Sequence, residues 1–135
     1  MTLKMKKTVQ QMVAEAESQI ETLPLAEAMK LHGQEGVTFI DIRDPRELWR
    51  DGTIPGAINV TRGMLEMWID PESPYAKSYF QTGNRFVFFC AGAWRSELAT
   101  KTAQDMGLAP VASLEGGLSA WKKAGGPVEA VEPRT

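Results

Sequence analysis

Apolar and polar positions along the chain fall into blocks that predict helices and strands in turn. Near the start, apolar residues recur at three- and four-residue spacing over residues 5–20, which places them on one face of a helix. A second helix is predicted from a cap at Thr22 to Gly33, with Pro24 in its first turn. The run VTFIDI at 37–42 then predicts a buried strand.

The segment DPRELWRDG carries the start and stop signals of a short helix. Asp44 is placed to cap it, a proline follows at the first helical position, Glu47 completes a capping box, and Gly52 ends the helix. The next residues, TIPGAINV, predict a turn at Pro55 and a short strand at 58–60.

Residues 61–85 have no sustained period. DPESPY contains two prolines, so we expect a long irregular excursion over the surface, a kind of segment that often carries function. The run FVFF at 86–89 predicts a central parallel strand that is buried on both faces. A helix over 94–107, a strand at 111–114 and a helix closed by Gly125 complete the pattern.

This alternation of strands and helices indicates an α/β fold with a mostly parallel sheet. A chain of 135 residues has the length of one ordinary domain. We expect a helical extension over 1–21, one folded domain over 22–130 and a flexible tail over 131–135.

Composition narrows the classes of function. Fifteen basic and seventeen acidic residues give a net charge of −2 without a long run of either sign, which does not fit a nucleic-acid or membrane-surface binder. One cysteine and one histidine cannot form a disulfide or a zinc site, and we expect neither a metal nor a cofactor. The basic start is followed by polar residues, so we expect no secretory signal and a cytoplasmic protein.

Cys90, the only cysteine, is the strongest candidate for chemistry. In open parallel sheets ligands bind outside the carboxyl ends of the strands, and the predicted strand 86–89 ends at Cys90. The loop after it leads into a helix N-terminus, where unpaired N–H groups and the dipole favour a thiolate and could cradle an anion, and Arg95 adds a positive charge. The alternative is a small buried hydrophobe that closes an apolar strand.

Four segments resemble the recurring signatures of single-domain rhodanese-like proteins. They are a D-x-R strand end (Asp41 and Arg43), an IPGA turn (54–57), a C-x4-R loop (90–95) and an EGG-x3-W segment (115–121). Each is weak alone, but four in this order are specific, and the resemblance runs from about residue 37 to 128. We expect the EGG-x3-W segment to serve a tight turn and core packing.

The resemblance implies a rhodanese-like three-layer fold, in which a five-stranded, mainly parallel sheet has helices on both faces. The extra N-terminal helix precedes the matched part and packs on the domain or on a second copy, which would make a homodimer. The resemblance also implies a persulfide on Cys90. The residues that would cradle it are Ala91, Gly92, Ala93, Trp94, Arg95 and Ser96.

The implied activity is that of a thiosulfate sulfurtransferase (rhodanese)-type enzyme. A sulfane sulfur would move from thiosulfate, or from an organic or protein persulfide, to a thiol or cyanide in two displacement steps. The partners are a small anionic sulfur donor and a thiol acceptor, which can be a protein thiol. Since Arg95 is the only charge in an otherwise apolar loop, thiosulfate is the less favoured physiological donor.

Two other functions stay open. A catalytically idle rhodanese-like module would use the same pocket or the surface around Trp68 to bind or regulate a partner, although such a module has no need of a nucleophile. A cysteine-dependent phosphatase or arsenate reductase is disfavoured, because the loops of the related phosphatases have the form C-x5-R and Arg95 comes one residue sooner.

Three charged residues are candidates for a supporting role. Asp41 and Arg43 lie at a predicted strand end near the loop, where a mutual ion pair is favoured over direct catalysis. Arg62 precedes the irregular excursion and could reach an anionic substrate, or simply be solvated. His32, the only histidine, is expected to be a surface or cap residue, which disfavours a Cys–His hydrolase.

Overall fold

The computed structural model of the chain describes residues 2–133; residues 134–135 of the predicted tail lie outside this range. Helices and strands alternate along the described chain. They are α1 (Val9–Gln19), β1 (Glu21–Leu23), α2 (Leu25–Leu31), β2 (Val37–Asp41), α3 (Pro45–Asp51), β3 (Ile58–Asn59), α4 (Leu65–Ile69), β4 (Arg85–Phe89), α5 (Trp94–Met106), β5 (Val111–Leu114) and α6 (Gly117–Lys123).

The five strands form one parallel sheet in the order β1-β5-β4-β2-β3. β4 is central, and its side chains alternate between the two faces: Phe86 and Phe88 belong to one core cluster, Val87 and Phe89 to the other. Burial on both faces explains why this strand is a continuous apolar run. The predicted three-layer α/β fold is confirmed.

Helices cover both faces of the sheet. Apolar residues of α4 and α5 pack into one cluster, and those of α2 and α6, including the fully buried Trp121, pack into the other. α1 packs on the outside of α5 through the buried Val13 and Ala16, and the Gln104 side chain donates to the carbonyl of Gln19 at 2.8 Å. Within the described residues no helix is both long and apolar enough to span a bilayer.

The first helix begins later than predicted. Thr8 and Gln11 form a capping box, so the helix begins at Val9 rather than at Met5. Met5 continues the apolar spacing, but the hydroxyl of Thr8 satisfies a free N–H of the first turn and thereby sets the boundary.

The prediction that Thr22 caps a helix is wrong. Thr22 lies in β1 opposite Ser113 of β5, and Pro24 stands at the cap of α2. A strand of three residues, of which only Leu23 is buried, is too short to produce a period of its own.

Two further boundaries differ from the prediction. The strand after the Pro55 turn covers only Ile58–Asn59, at the edge of the sheet. The excursion at 61–85 is less irregular than expected, because it contains α4 and two 3-10 turns, Arg62–Met64 and Ser78–Gln81. α3 has the predicted capping box and the predicted stop at a glycine with φ of +77°.

Candidate active site

Cys90 lies directly after the central strand β4, at the carboxyl edge of the sheet. Cys90 is only 2% exposed. The thiol donates to the Ser96 hydroxyl, with 3.7 Å between Sγ and Oγ. The loop at 91–96, called here the cysteine loop, leads from Cys90 into the first turn of α5, as predicted.

A small polar chain lies beside the thiol. The Ser96 hydroxyl donates to the carbonyl of Ala93 at 3.1 Å and lies 2.9 Å from the hydroxyl of Ser113 on β5. Both serines are buried, so they provide polar contacts beside the Cys90 sulfur. No pattern in the sequence indicates Ser113, because only the β4–β5 pairing brings it to this point.

The backbone of the cysteine loop presents a row of free donors. Among residues 2–133, no acceptor receives a hydrogen bond from any of the six N–H groups at 91–96; the first bonded amide is that of Glu97, which donates to Ala93 at 2.9 Å. A helix N-terminus leaves its first N–H groups free, and here the preceding loop extends the row. A row of free N–H groups of this kind can bind an anion.

The first turn of α6 holds the carbonyl side of this loop. Leu118 N donates to Cys90 O at 2.9 Å and Ser119 N donates to Ala91 O at 3.0 Å. In a trans peptide the C=O and N–H groups point in opposite directions, so the amides of Ala91 and Gly92 face away from α6. α6 thus occupies the acceptors of these two peptides and leaves their N–H groups on the opposite side.

Gly117 makes this contact possible. Its φ is +60°, and a Cβ at this position would lie 2.6 Å from Cys90 O and 2.8 Å from Ala91 O. The EGG-x3-W segment thus packs the core through Trp121, as expected, and also supports the cysteine loop, which the sequence reasoning missed.

Arg95 is not a free cation. Its two terminal nitrogens donate to both carboxylate oxygens of Glu47 on α3, at 2.7 and 3.1 Å. The hydrogen bond from Arg95 lowers the pKa of Glu47, and the same bond raises the pKa of Arg95. Sequence reasoning identified Glu47 only as a helix cap, a role it also fulfils by accepting from Asp44 N at 3.4 Å.

The expected ion pair between Asp41 and Arg43 is present and fully buried. Arg43 donates through Nε and Nη2 to the two carboxylate oxygens at 3.0 and 2.8 Å, and Nη2 also donates to the Gly52 carbonyl at 2.7 Å. The Thr53 hydroxyl donates to Asp41 at 2.8 Å. These bonds hold the segment after α3 and none of them goes to the cysteine loop.

The remaining candidates lie elsewhere or at the rim. Arg62 donates to Glu66 at 2.9 Å and to Thr102 at 3.3 Å, and none of its hydrogen bonds goes to the cysteine loop.

His32 caps the C-terminus of α2, where its Nε2 lies 2.8 Å from the Pro55 carbonyl and its ring packs edge-on against other aromatic rings. Trp94 is 49% exposed at the start of α5.

Glu97, which the sequence reasoning did not single out, is a buried acid directly after the cysteine loop. It is 7% exposed, and its Oε2 has no hydrogen-bond partner among residues 2–133. Burial raises the pKa of Glu97 to about 7, and the nearby carboxylate of Glu17 on α1 adds to the effect.

The chain resembles known proteins in both sequence and structure. The family model of the rhodanese-like domain matches residues 24–124. A Rhodopseudomonas palustris protein of unknown function, named a possible tyrosine phosphatase, is 58% identical; the match covers 96% of this chain and 99% of that chain, with a TM-score of 0.93.

The relatives of this chain include proteins that are named for sulfur transfer. Thiosulfate sulfurtransferase 16, chloroplastic, from Arabidopsis thaliana is 33% identical over 99 residues, which are 70% of this chain and 82% of the relative. The polysulfide-sulfur transferase homodimer of Wolinella succinogenes is 31% identical, with 88% of this chain and 85% of that chain covered and a TM-score of 0.66. This chain belongs to the family of rhodanese-like domains.

Proposed function

We propose that this protein is a sulfurtransferase that carries a sulfane sulfur as a persulfide on Cys90. The observation that supports this best is the row of free N–H groups at 91–96 around a buried thiol, because such a row stabilises the negative charge of a terminal persulfide sulfur. Relatives named as a thiosulfate sulfurtransferase and a polysulfide-sulfur transferase are consistent with this chemistry.

The reaction has two displacements at sulfur. In the first, the Cys90 thiolate attacks the outer sulfur of the donor; a Cys90 S–S bond forms while the donor's own bond to that sulfur breaks, and the electron pair leaves with sulfite or a thiolate. In the second, cyanide or an acceptor thiolate attacks the outer sulfur of Cys90–S–S⁻, and Cys90 leaves as the thiolate. Covalent storage thus divides one transfer into two easier steps.

We place this protein in the cytoplasm because of the same chemistry. The nucleophile must stay a free thiol between turnovers, and the reducing cytoplasm meets that requirement. The acceptor in the cell would be a thiol, either small or on a protein.

Turnover assays test the proposal. With thiosulfate or a small organic persulfide as donor and cyanide as acceptor, we expect the wild type to form thiocyanate faster than the uncatalysed reaction and Cys90→Ser to form it no faster than that background. The matched control is Ser119→Ala on α6, whose exposed side chain makes no hydrogen bond among the described residues; it should keep the wild-type rate. Equal rates in the wild type and Cys90→Ser would refute the proposal.

The name of the R. palustris relative raises phosphate-ester hydrolysis as a second candidate. That reaction needs an acid to protonate the leaving oxygen. Glu47 is a poor donor because Arg95 lowers its pKa, and Asp41 is held by Arg43 and Thr53. Sulfite leaves without a proton, so sulfur transfer does not need Glu47 or Asp41 as an acid.

Release of p-nitrophenol from p-nitrophenyl phosphate, lost in Cys90→Ser, would favour the phosphatase. Inactivity in both assays would favour an idle binding module.

We also propose that the protein forms a homodimer through α1. Three apolar side chains near the start of α1 remain exposed: Met5 in the segment before the helix, and Val9 and Met12 in its first turns. The Wolinella relative is a homodimer. Light scattering should give the mass of two chains, and the double variant Val9→Glu/Met12→Glu should give one, whereas Met67→Glu on α4 should stay dimeric. A wild-type monomer would refute this assembly.

A further inference from the structure

The cysteine loop has no net positive side chain to offer an anion. Arg95 is the only charged residue at 90–96, and both terminal nitrogens of its guanidinium are bonded to Glu47. The pair is neutral as a whole. A substrate that enters the loop therefore meets backbone N–H groups and a compensated arginine.

Glu47 is held in this position from two sides. It is the third residue of α3, and its carboxylate accepts from the amide of Asp44 in the capping box as well as from Arg95 on α5. The pKa of Glu47 is lowered by Arg95, so the carboxylate stays ionised at neutral pH. Its side chain is 20% exposed, compared with 46% for Arg95, so the negative partner is the more enclosed of the two.

Two classes of donor respond differently to this arrangement. Thiosulfate is a dianion whose sulfonate end needs a cation once the transferred sulfur occupies the loop amides, and the loop's only cation is taken. It must displace Glu47 or bind beside a carboxylate, and both cost free energy. A persulfide, R–S–S⁻, carries its single negative charge on the transferred sulfur, where the free N–H groups at 91–96 meet it. Its organic group can lie against the exposed indole of Trp94.

We propose that Glu47 determines the donor class: by holding Arg95 in an ion pair, it makes the site favour a small organic persulfide over thiosulfate. This inference rests on the proposed sulfur transfer. Glu47 acts here through Arg95 and is a specificity-determining residue, without a part in bond making or breaking.

The test is Glu47→Gln, which removes the charge and keeps an oxygen that can accept from Asp44 N. We expect kcat/KM for thiosulfate to rise about 10-fold, because the variant frees one positive charge at the mouth of the loop. For a small organic persulfide we expect a change of less than about twofold. The gain should disappear in the double variant Glu47→Gln/Arg95→Gln, because it depends on the freed guanidinium.

Glu21→Gln is the matched control. Glu21 forms a similar pair with Arg85, at 2.7 Å, but Arg85 is the first residue of β4 and thus lies at the opposite end of that strand from Cys90. This variant should leave the ratio of the two donors unchanged.

The outcomes separate the inference from the proposed function. If Glu47→Gln transfers sulfur from both donors but with the wild-type ratio, Glu47 does not determine the donor class and the inference is wrong. If neither donor yields thiocyanate faster than the uncatalysed reaction with the wild type or with Glu47→Gln, the proposed sulfur transfer itself is wrong.

Discussion

Gly117 lies so close to the carbonyl oxygen of Cys90 that a Cβ at Gly117 would be 2.6 Å from it. The first residue of α6 thus contacts the peptide that follows the candidate nucleophile, and the next two residues of the helix bond the same loop. Because α6 takes the carbonyls of Cys90 and Ala91, the loop amides remain available to a ligand. The Gly117 contact therefore supports the loop that we propose binds the persulfide.

Gly117→Ala should disturb both stability and activity. The new methyl group collides with backbone oxygens that cannot rotate away, so we expect a loss of about 3 kcal/mol in the free energy of unfolding and a slower rate of sulfur loading. Gly125→Ala is the control, since Gly125 also has a positive φ, +81°, but has nothing within 4 Å of its Cβ position. Urea denaturation of both variants measures the difference, and equal losses would contradict the role given to the Gly117 contact.

Asp41→Asn should destabilise the fold strongly. Arg43 would keep its buried charge with only the more distant carboxylate of Asp51, at 3.8 Å, beside it, and breaking a buried pair in this way costs about 3–5 kcal/mol. The exposed pair Lys101–Asp105 is the comparison: Asp105→Asn should change the free energy of unfolding by less than about 0.5 kcal/mol. A small loss in Asp41→Asn, measured by urea denaturation, would mean that the buried pair contributes little.

Ser96→Ala should slow sulfur loading on Cys90. The variant removes the hydroxyl that contacts the thiol, and the loss of one such polar contact lowers a rate by about 3- to 10-fold. Intact-mass time courses with a persulfide donor measure the loading rate. Ser119→Ala should load as fast as the wild type; a Ser96→Ala time course that overlays that of the wild type would remove Ser96 from the site.

Glu97 should make stability depend on pH. Its pKa is raised from 4.5 to about 7 by burial and by Glu17, so between these values the folded protein holds a proton that the unfolded chain has lost. The free energy of unfolding should therefore fall as pH rises from 4.5 to 7 and change little from this group above that range.

Urea denaturation at several pH values tests this dependence. Glu97→Gln keeps the neutral shape of the protonated acid and should flatten the slope, with its largest gain in stability above pH 7, where wild-type Glu97 is ionised. The exposed Glu72→Gln is the control and should leave the slope unchanged. An unchanged slope in Glu97→Gln would assign the dependence to other groups.

Features that depend on neighbours in sequence could be predicted from the sequence. The capping box of α3 requires only Asp44 and Glu47, three residues apart, and the apolar run of β4 reports burial on both faces. The end of α5 could also be predicted, since Gly107 ends the helix in the left-handed conformation. These local signals were sufficient for the fold class and for the position of Cys90.

Features that depend on tertiary contacts could not be predicted in this way. β1 forms because Thr22 meets Ser113 of β5, far along the chain. The partner of Arg95 lies 48 residues away on α3, so charge counting in the loop overstated the free positive charge. Likewise, Glu97 resembles an ordinary acid in the first turn of a helix until α1 covers it.

Storage of sulfur on Cys90 can be read from the intact mass of the protein after incubation with thiosulfate or a small organic persulfide. We predict a gain of one sulfur atom in the wild type, its removal by cyanide, and no gain in Cys90→Ser. No gain with either donor, or the same gain in Cys90→Ser, would mean that Cys90 does not store sulfur.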